Sequence, residues 1–172
     1  LKAAIECDDP VVYFEHKNMW DLEGDVDRAE AVAIGEARVR TQGDDMTIVS
    51  WSQTANFAVE AAETLADDGI GAEVIDLRSL WPWDKDAVLD SVNKTGRLIV
   101  AHESVAVGGF GAEVVAIVSE KVGAALQGRI RRLGAPRALI AYAPTLEDKM
   151  RVTAEMIVDA ARELMQLSKT KG

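Results

Sequence analysis

"MTIVSWSQTANFAVEAAETLADDGIGAEVIDL" (46–77) sets two short apolar runs on either side of a longer, differently spaced one. "MTIVSW" (46–51) is too short for a stable helix and continuously apolar, which predicts a buried strand. Across 52–69, Phe57, Ala61 and Leu65, and Ala58 with Ala62, recur four residues apart, and Gly69 follows as a stop, so this stretch is predicted to be a helix. "AEVIDL" (72–77) is a second buried strand. Two strands joined by a helix imply a crossover connection and a parallel sheet, and such a sheet needs cover on both faces.

The pattern continues outward. "WDKDAVLDSVNKTG" (83–96) is predicted to be a helix ending at Gly96, "RLIVAHE" (97–103) a strand, and residues 110–122 a helix. "RIRRLG" (129–134) is a further strand. A last helix is predicted from Thr145, as N-cap with Glu147 and Asp148 in its first turn, to Met165. On the other side, "AVAIGEARVR" (31–40) alternates toward the turn "TQGDD", and the acidic, unpatterned 18–30 reads as a linker. "VVYFEH" (11–16) is expected to be a strand, and only the "SKTKG" tail is expected to fray. The predicted fold class is α/β: a three-layer αβα sandwich around a mainly parallel sheet of about five strands.

The 172 residues suffice for one such domain and are short for two. A 48% hydrophobic content fits a globular protein, and no apolar run approaches the ~18 residues of a membrane span. The single cysteine, Cys7, cannot form an internal disulfide, which fits a reducing compartment. The net charge of -10 argues against a nucleic-acid surface and suits a basic protein partner. The chain begins at Leu1 rather than at methionine and is expected to be a fragment.

"HESVAVGGFGAEVV" (102–115) invites comparison with a phosphate-binding loop. Gly109 and Gly111 supply two positions of a G-x-G-x-x-G pattern, but Val114 stands at the third, Glu113 brings a negative charge into the first turn, and "SVAVGG" is longer than a tight turn. The glycines are therefore expected to allow a sharp turn and close approach by a neighbouring chain, with Gly109 or Gly111 at φ > 0. His16 and His102 are distant in sequence, and neither a nucleophile elbow nor a metal-ligand spacing is present. In "DLRSLWPWD" (76–84), a charged pair with two tryptophans at a sheet rim suits an interface.

Three segments together point further. "DLRSLWPWD", then "TGRLIVAHESVAVGGFGAEVVAIVSE", then "YAPTLED" (142–148) resemble the C-terminal domain of the transketolase family. Within it, they are most similar to the beta subunit of the decarboxylating component of 2-oxo acid dehydrogenase complexes. "IECDDPVVYFEHKNMW" resembles the end of that subunit's pyrimidine-binding domain, giving an expected organisation of 1–17 for its end, 18–30 for the linker and 31–172 for the C-terminal domain. The sequence departs from the family at Asp21, where many members carry arginine, and in "LGAPRALIA" (133–141).

The resemblance implies an oxidoreductase. The complete enzyme would decarboxylate a 2-oxo acid on thiamine diphosphate with magnesium and pass the acyl group to a lipoyl arm, its substrate being of the pyruvate, branched-chain 2-oxo acid or acetoin type. It implies a heterotetramer with an alpha subunit and a second beta subunit, docking to a dihydrolipoyl acyltransferase core, and a cytoplasmic or mitochondrial-matrix location. The acid that activates the cofactor would lie before Leu1, so no catalytic or cofactor-binding residue is expected in this chain. By position, Ala4, Ile5, Cys7 and Asp9 would match the family's potassium site, built largely from carbonyls. The interface would carry Trp81, Trp83, His102, Glu103, Gly108, Gly109, Phe110 and Gly111, and Glu147 with Asp148 would dock the acyltransferase. The rivals are a transketolase or deoxyxylulose-phosphate synthase domain, a nucleotide-binding module and a non-catalytic interaction module.

Overall fold

In the computed structural model, residues 1–24 and 32–169 are described, with side chains as far as Gln166. Five strands form one sheet: β1 (Arg38–Thr41), β2 (Met46–Ser50), β3 (Ala72–Asp76), β4 (Leu98–Val105) and β5 (Arg131–Ala135), in the order β1-β3-β2-β4-β5. β1 is antiparallel to β3 and all other pairs are parallel. The register sets Ser50 opposite Asp76 and Val49 opposite Val100, so β2, β3 and β4 end along one carboxyl rim. Every residue of β2 is buried, as a central strand with helices on both faces requires.

Two helical layers enclose the sheet. α2 (Gln53–Asp67) and α6 (Ala154–Lys169) cover one face. There, Ala58, Ala61, Ala62 and Leu65 meet Ile48, Val74, Ile157 and Leu164. α3 (Lys85–Thr95) and α4 (Gly111–Val122) cover the other, where Val88, Val92, Val114 and Val118 meet Val49, Ile75, Leu98 and Val100. Each fully buried aliphatic side chain contributes about 1.5–3 kcal/mol relative to exposure. The sequence signals for these elements act as physics: Asp84 Oδ1 accepts the Ala87 N–H at 3.1 Å, and Gly96 closes α3 in the left-handed region at φ 68. The three-layer α/β class is as expected.

Two expectations fail. Residues 11–16 form no strand and pair with no strand among the described residues, and Val12 and Phe14 are exposed. None of residues 1–24 is buried; they contribute only a one-turn helix, α1 (Lys2–Glu6), and a 3-10 turn at Lys17–Met19. Nor does the last helix start at Thr145. α5 (Pro144–Glu147) begins with Pro144 at its first position after Ala143, runs into a 3-10 turn (Asp148–Met150), and stops at Arg151, whose backbone is extended at ψ 147. α6 starts afresh at Ala154, with Thr153 Oγ1 accepting the Met156 N–H at 3.3 Å. Of the expected linker, residues 25–30 lie outside the described residues.

Candidate functional site

Ligands of open α/β sheets bind at the carboxyl rim, where neighbouring strands send their chains in opposite directions. Here β2 has β3 on one side and β4 on the other, and the groups at that point are Trp51, His102 and the 108–111 loop. His102 is fully buried. Its ring stacks on Trp51 with centroids 5.0 Å apart and planes 14° apart, and Nδ1 hydrogen-bonds Ser104 Oγ at 2.8 Å. Nε2 has no partner. Burial pushes the imidazole below its usual pKa; a hydrogen bond at Ser104 opposes this and the Arg132 charge adds to it. His102 is therefore neutral at neutral pH.

The glycines close on this ring. A Cβ on Gly111 would lie 2.5 Å from His102 Nε2 and 3.0 Å from Val100 Cγ1, and one on Gly109 would lie 2.3 Å from the Val105 carbonyl and 2.8 Å from His102 Cε1. The close approach is thus made within the chain, to the imidazole. The expectation of φ > 0 at Gly109 or Gly111 is not met; the left-handed residue is Gly108, at φ 78. The loop does not fit a diphosphate: the Ala112, Glu113 and Val114 N–H groups are taken by the Gly109 and Phe110 carbonyls, and Glu113 stands in the first turn. Thiamine diphosphate thus finds no cradle in this loop. Among the described residues, no group of three or more His, Cys, Asp and Glu side chains could hold a metal ion.

Other expected site residues divide by burial. Trp83 is 4% exposed and its ring meets Phe110 edge-on at 6.2 Å, while Phe110 meets Trp51 at 5.8 Å. Trp83, His102 and Gly111, expected on an interface, are interior groups of this chain that lie beneath the rim. Trp81 is 78% exposed, Glu103 and Gly108 are exposed, and Gly109 and Phe110 are half-buried. Glu147 accepts from Arg151 Nη2 at 2.7 Å, and Asp148 lies 4.0 Å from the same guanidinium. Ala4 and Ile5 lie in α1, Cys7 caps it in extended conformation, and Asp9 is exposed.

Sequence reasoning missed three features. His16 Nε2 contacts Glu103 Oε1 at 2.9 Å, joining residues 87 apart in the chain. A cavity of about 300 Å³ opens beyond β4 and β5, with Val105, Pro136, Ile140 and Met150 on its walls and Glu103, Glu147 and Arg151 among its polar groups. Ser52 and Arg78, just past β2 and β3, take left-handed conformations at φ 58 and 54. No sequence signal marks the first two; the third is hinted at by "DLRS", whose Asp76 Oδ1 accepts the Arg78 N–H at 3.3 Å.

Residues 35–157, which hold the whole sheet and its rim, match the family described as transketolase, C-terminal domain. The chain belongs to this family. Among curated proteins it is 40% identical, over 96% of its length and 52% of the other's, to the 2-oxoisovalerate dehydrogenase subunit beta of Bacillus subtilis. It is 41% identical, over 96% of its length and 49% of the other's, to the beta subunit of acetoin:2,6-dichlorophenolindophenol oxidoreductase of Cupriavidus necator. It is 37% identical, over 98% of its length and 49% of the other's, to the mitochondrial pyruvate dehydrogenase E1 component subunit beta of Dictyostelium discoideum. The chain thus spans about half the length of the curated relatives it matches. A solved structure described as a split-gene transketolase in an inactive beta4 tetramer superposes with a TM-score of 0.72 at 28% identity, over 83% of this chain and 46% of that one. Among the described residues, no helix is long and apolar enough to cross a membrane.

Proposed function

We propose that this transketolase C-terminal domain is part of the beta subunit of a thiamine diphosphate- and magnesium-dependent 2-oxo acid dehydrogenase, in which it serves assembly and docking rather than turnover. The observation that carries this reading is the division at the carboxyl rim: the imidazole that could move a proton is sealed beneath glycines, while Trp81 stands in water. Such a surface suits contact with another protein. The kinship with beta subunits of 2-oxoisovalerate and pyruvate dehydrogenases supports the reaction class, oxidative decarboxylation with acyl transfer to lipoamide; an acetoin substrate, having no carboxyl group, would be cleaved rather than decarboxylated.

The test is reconstitution. The full-length subunit, mixed with its alpha subunit, thiamine diphosphate and magnesium, is offered pyruvate, branched-chain 2-oxo acids and acetoin with a lipoyl domain as acceptor. Acylation of the lipoyl domain from one of them is expected; ketol transfer between sugar phosphates instead would favour the transketolase rival. The 172-residue chain alone is expected not to bind the cofactor, and micromolar binding in a calorimeter would overturn that.

Self-association is the second part of the proposal, through the rim carrying Trp81, Glu103, Gly108, Gly109 and Phe110. The beta4 assembly of the structural relative supports it. Glu147 and Asp148 are proposed to meet a basic domain of the acyltransferase core, supported by the net charge of -10. A potassium ion at the carbonyls of Ala4, Ile5 and Cys7 with Asp9 is supported by the short α1, whose last carbonyls have no intrahelical partner. The compartment proposed is cytoplasm or mitochondrial matrix.

A further inference from the structure

We infer that Arg78 is a positioning residue for assembly: it fixes the 78–84 loop so that Trp81 stands as a ready anchor for a second copy of this chain. The inference rests on the self-association proposed above and names the device behind it. Arg78 holds φ 54, a conformation that costs a non-glycine residue and persists only where the surroundings enforce it. The enforcement is visible. Arg78 Nε and Nη2 donate to the Glu36 carbonyl at 3.2 and 3.0 Å, and Nη2 also donates to the Ala37 carbonyl at 3.2 Å.

The rest of the loop is tied to the same strip. Ser79 Oγ accepts the Gly35 N–H at 3.1 Å, and Asp84 Oδ2 accepts the Ala37 N–H at 3.0 Å. Gly35, at φ 87, lies so close to the loop that a Cβ there would sit 3.1 Å from Pro82 Cγ. Trp83 is locked inside against Phe110. A loop held at both ends and in the middle nevertheless projects one indole, Trp81, at 78% exposure, with Lys85 Nζ 5.9 Å from the ring centroid.

Nothing in this chain's own core uses that indole. Fixing it before contact lowers the ordering cost of association, which is what a binding anchor requires. The guanidinium does this work through the 36–37 backbone that its side chain touches.

The substitution that isolates this role is Arg78→Gly, because glycine accepts the left-handed backbone and loses only the clasp. Self-association of the chain is measured by sedimentation equilibrium for the parent, Trp81→Ala, Arg78→Gly and the double variant, with amide hydrogen exchange followed over 79–83. Trp81→Ala and Arg78→Gly are each expected to weaken association roughly tenfold, as truncation at an interface anchor does. The double variant is expected to be no weaker than Trp81→Ala, since Arg78 acts through Trp81. The 79–83 amides should exchange faster in Arg78→Gly while the sheet amides keep their protection. If Arg78→Gly associates like the parent, or if the two losses simply add, the positioning role is overturned while assembly through the rim stands. If Trp81→Ala associates like the parent, both the positioning role and the assembly surface fall.

Discussion

Replacing Gly111 by alanine puts the packing of the glycine loop to a direct test. The new Cβ would lie 2.5 Å from His102 Nε2 and 2.6 Å from Cδ2, closer than real Cβ atoms come, and 3.0 Å from Val100 Cγ1, tighter than most. The ring is the far end of a side chain and could swing away, but it is fully buried and held twice, by the Trp51 stack and by Ser104. Leaving the stack costs about 0.5–1.5 kcal/mol. Losing the hydrogen bond costs about as much again. Against this, alanine at a helix start gains at most about 1 kcal/mol over glycine. The net loss lies between about 0 and 3 kcal/mol, centred on about 1–2, and at about 2–4 °C per kcal/mol for a chain of this size the central values lower the melting temperature by about 2–8 °C. Calorimetry measures it, and His102→Ala provides the control: with the ring gone, Gly111→Ala should cost nothing or stabilise. A melting temperature that rises in the parent background, or the same loss in both backgrounds, would refute the claim that the glycine exists for the imidazole.

Three further outcomes are expected. Burial holds His102 neutral in the folded chain, whereas in the unfolded chain it takes up a proton as pH falls below about 6.5. Stability in urea is therefore expected to be flat above that pH and to fall below it, by less in His102→Gln; equal slopes for parent and variant would contradict this. Asp84→Ala removes the acceptor for both Ala87 and Ala37 N–H groups and should cost about 1–2 kcal/mol in denaturant melts, and an unchanged midpoint would show that neither bond matters. Charge reversal at Glu147 and Asp148 should slow association with the acyltransferase's basic domain at low salt, a deficit that fades as salt screens both proteins; identical kinetics would place docking elsewhere.

The central βαβ unit was legible because each of its signals is a local physical event. The alanine spacing of 52–69 buries one helix face, Gly69 takes φ 74, and Asp84 and Gly96 cap α3 as their chemistry predicts. Where the sequence misled, the deciding term was not local. "VVYFEH" has strand composition but pairs with no strand among the described residues, and a strand without a ladder is no strand. Thr145 has a cap residue's chemistry, yet Pro144 beside it is already pre-set for a first helical position and starts the turn one residue earlier. In the glycine loop the residue type foretold close approach, but not to what; that Gly109 and Gly111 face an imidazole, and that Gly108 takes the positive φ, depends on how β4 delivers His102 beneath α4. Trp81 and Trp83 are alike in sequence and opposite in burial because only one of them falls over Phe110.

The alanine face of α2 leaves the two sides of this domain with unequal freedom to change over evolutionary time. On the α3 and α4 side, valines, leucines and Trp83 meet across the layer, and volumes can be exchanged between neighbours while their sum is kept. Under α2, Ala55, Ala58 and Ala61 are completely buried, so over most of the helix the spacing from the sheet is set by backbone and methyl groups, with Leu65 filling the C-terminal end. A methyl group has almost no volume of its own to give up. Sequences drifting from this one should therefore vary freely in aliphatic type around Val88 and Val118, and hold small residues at 55, 58 and 61, because any enlargement there lifts a whole helix and, with it, the α6 layer packed alongside.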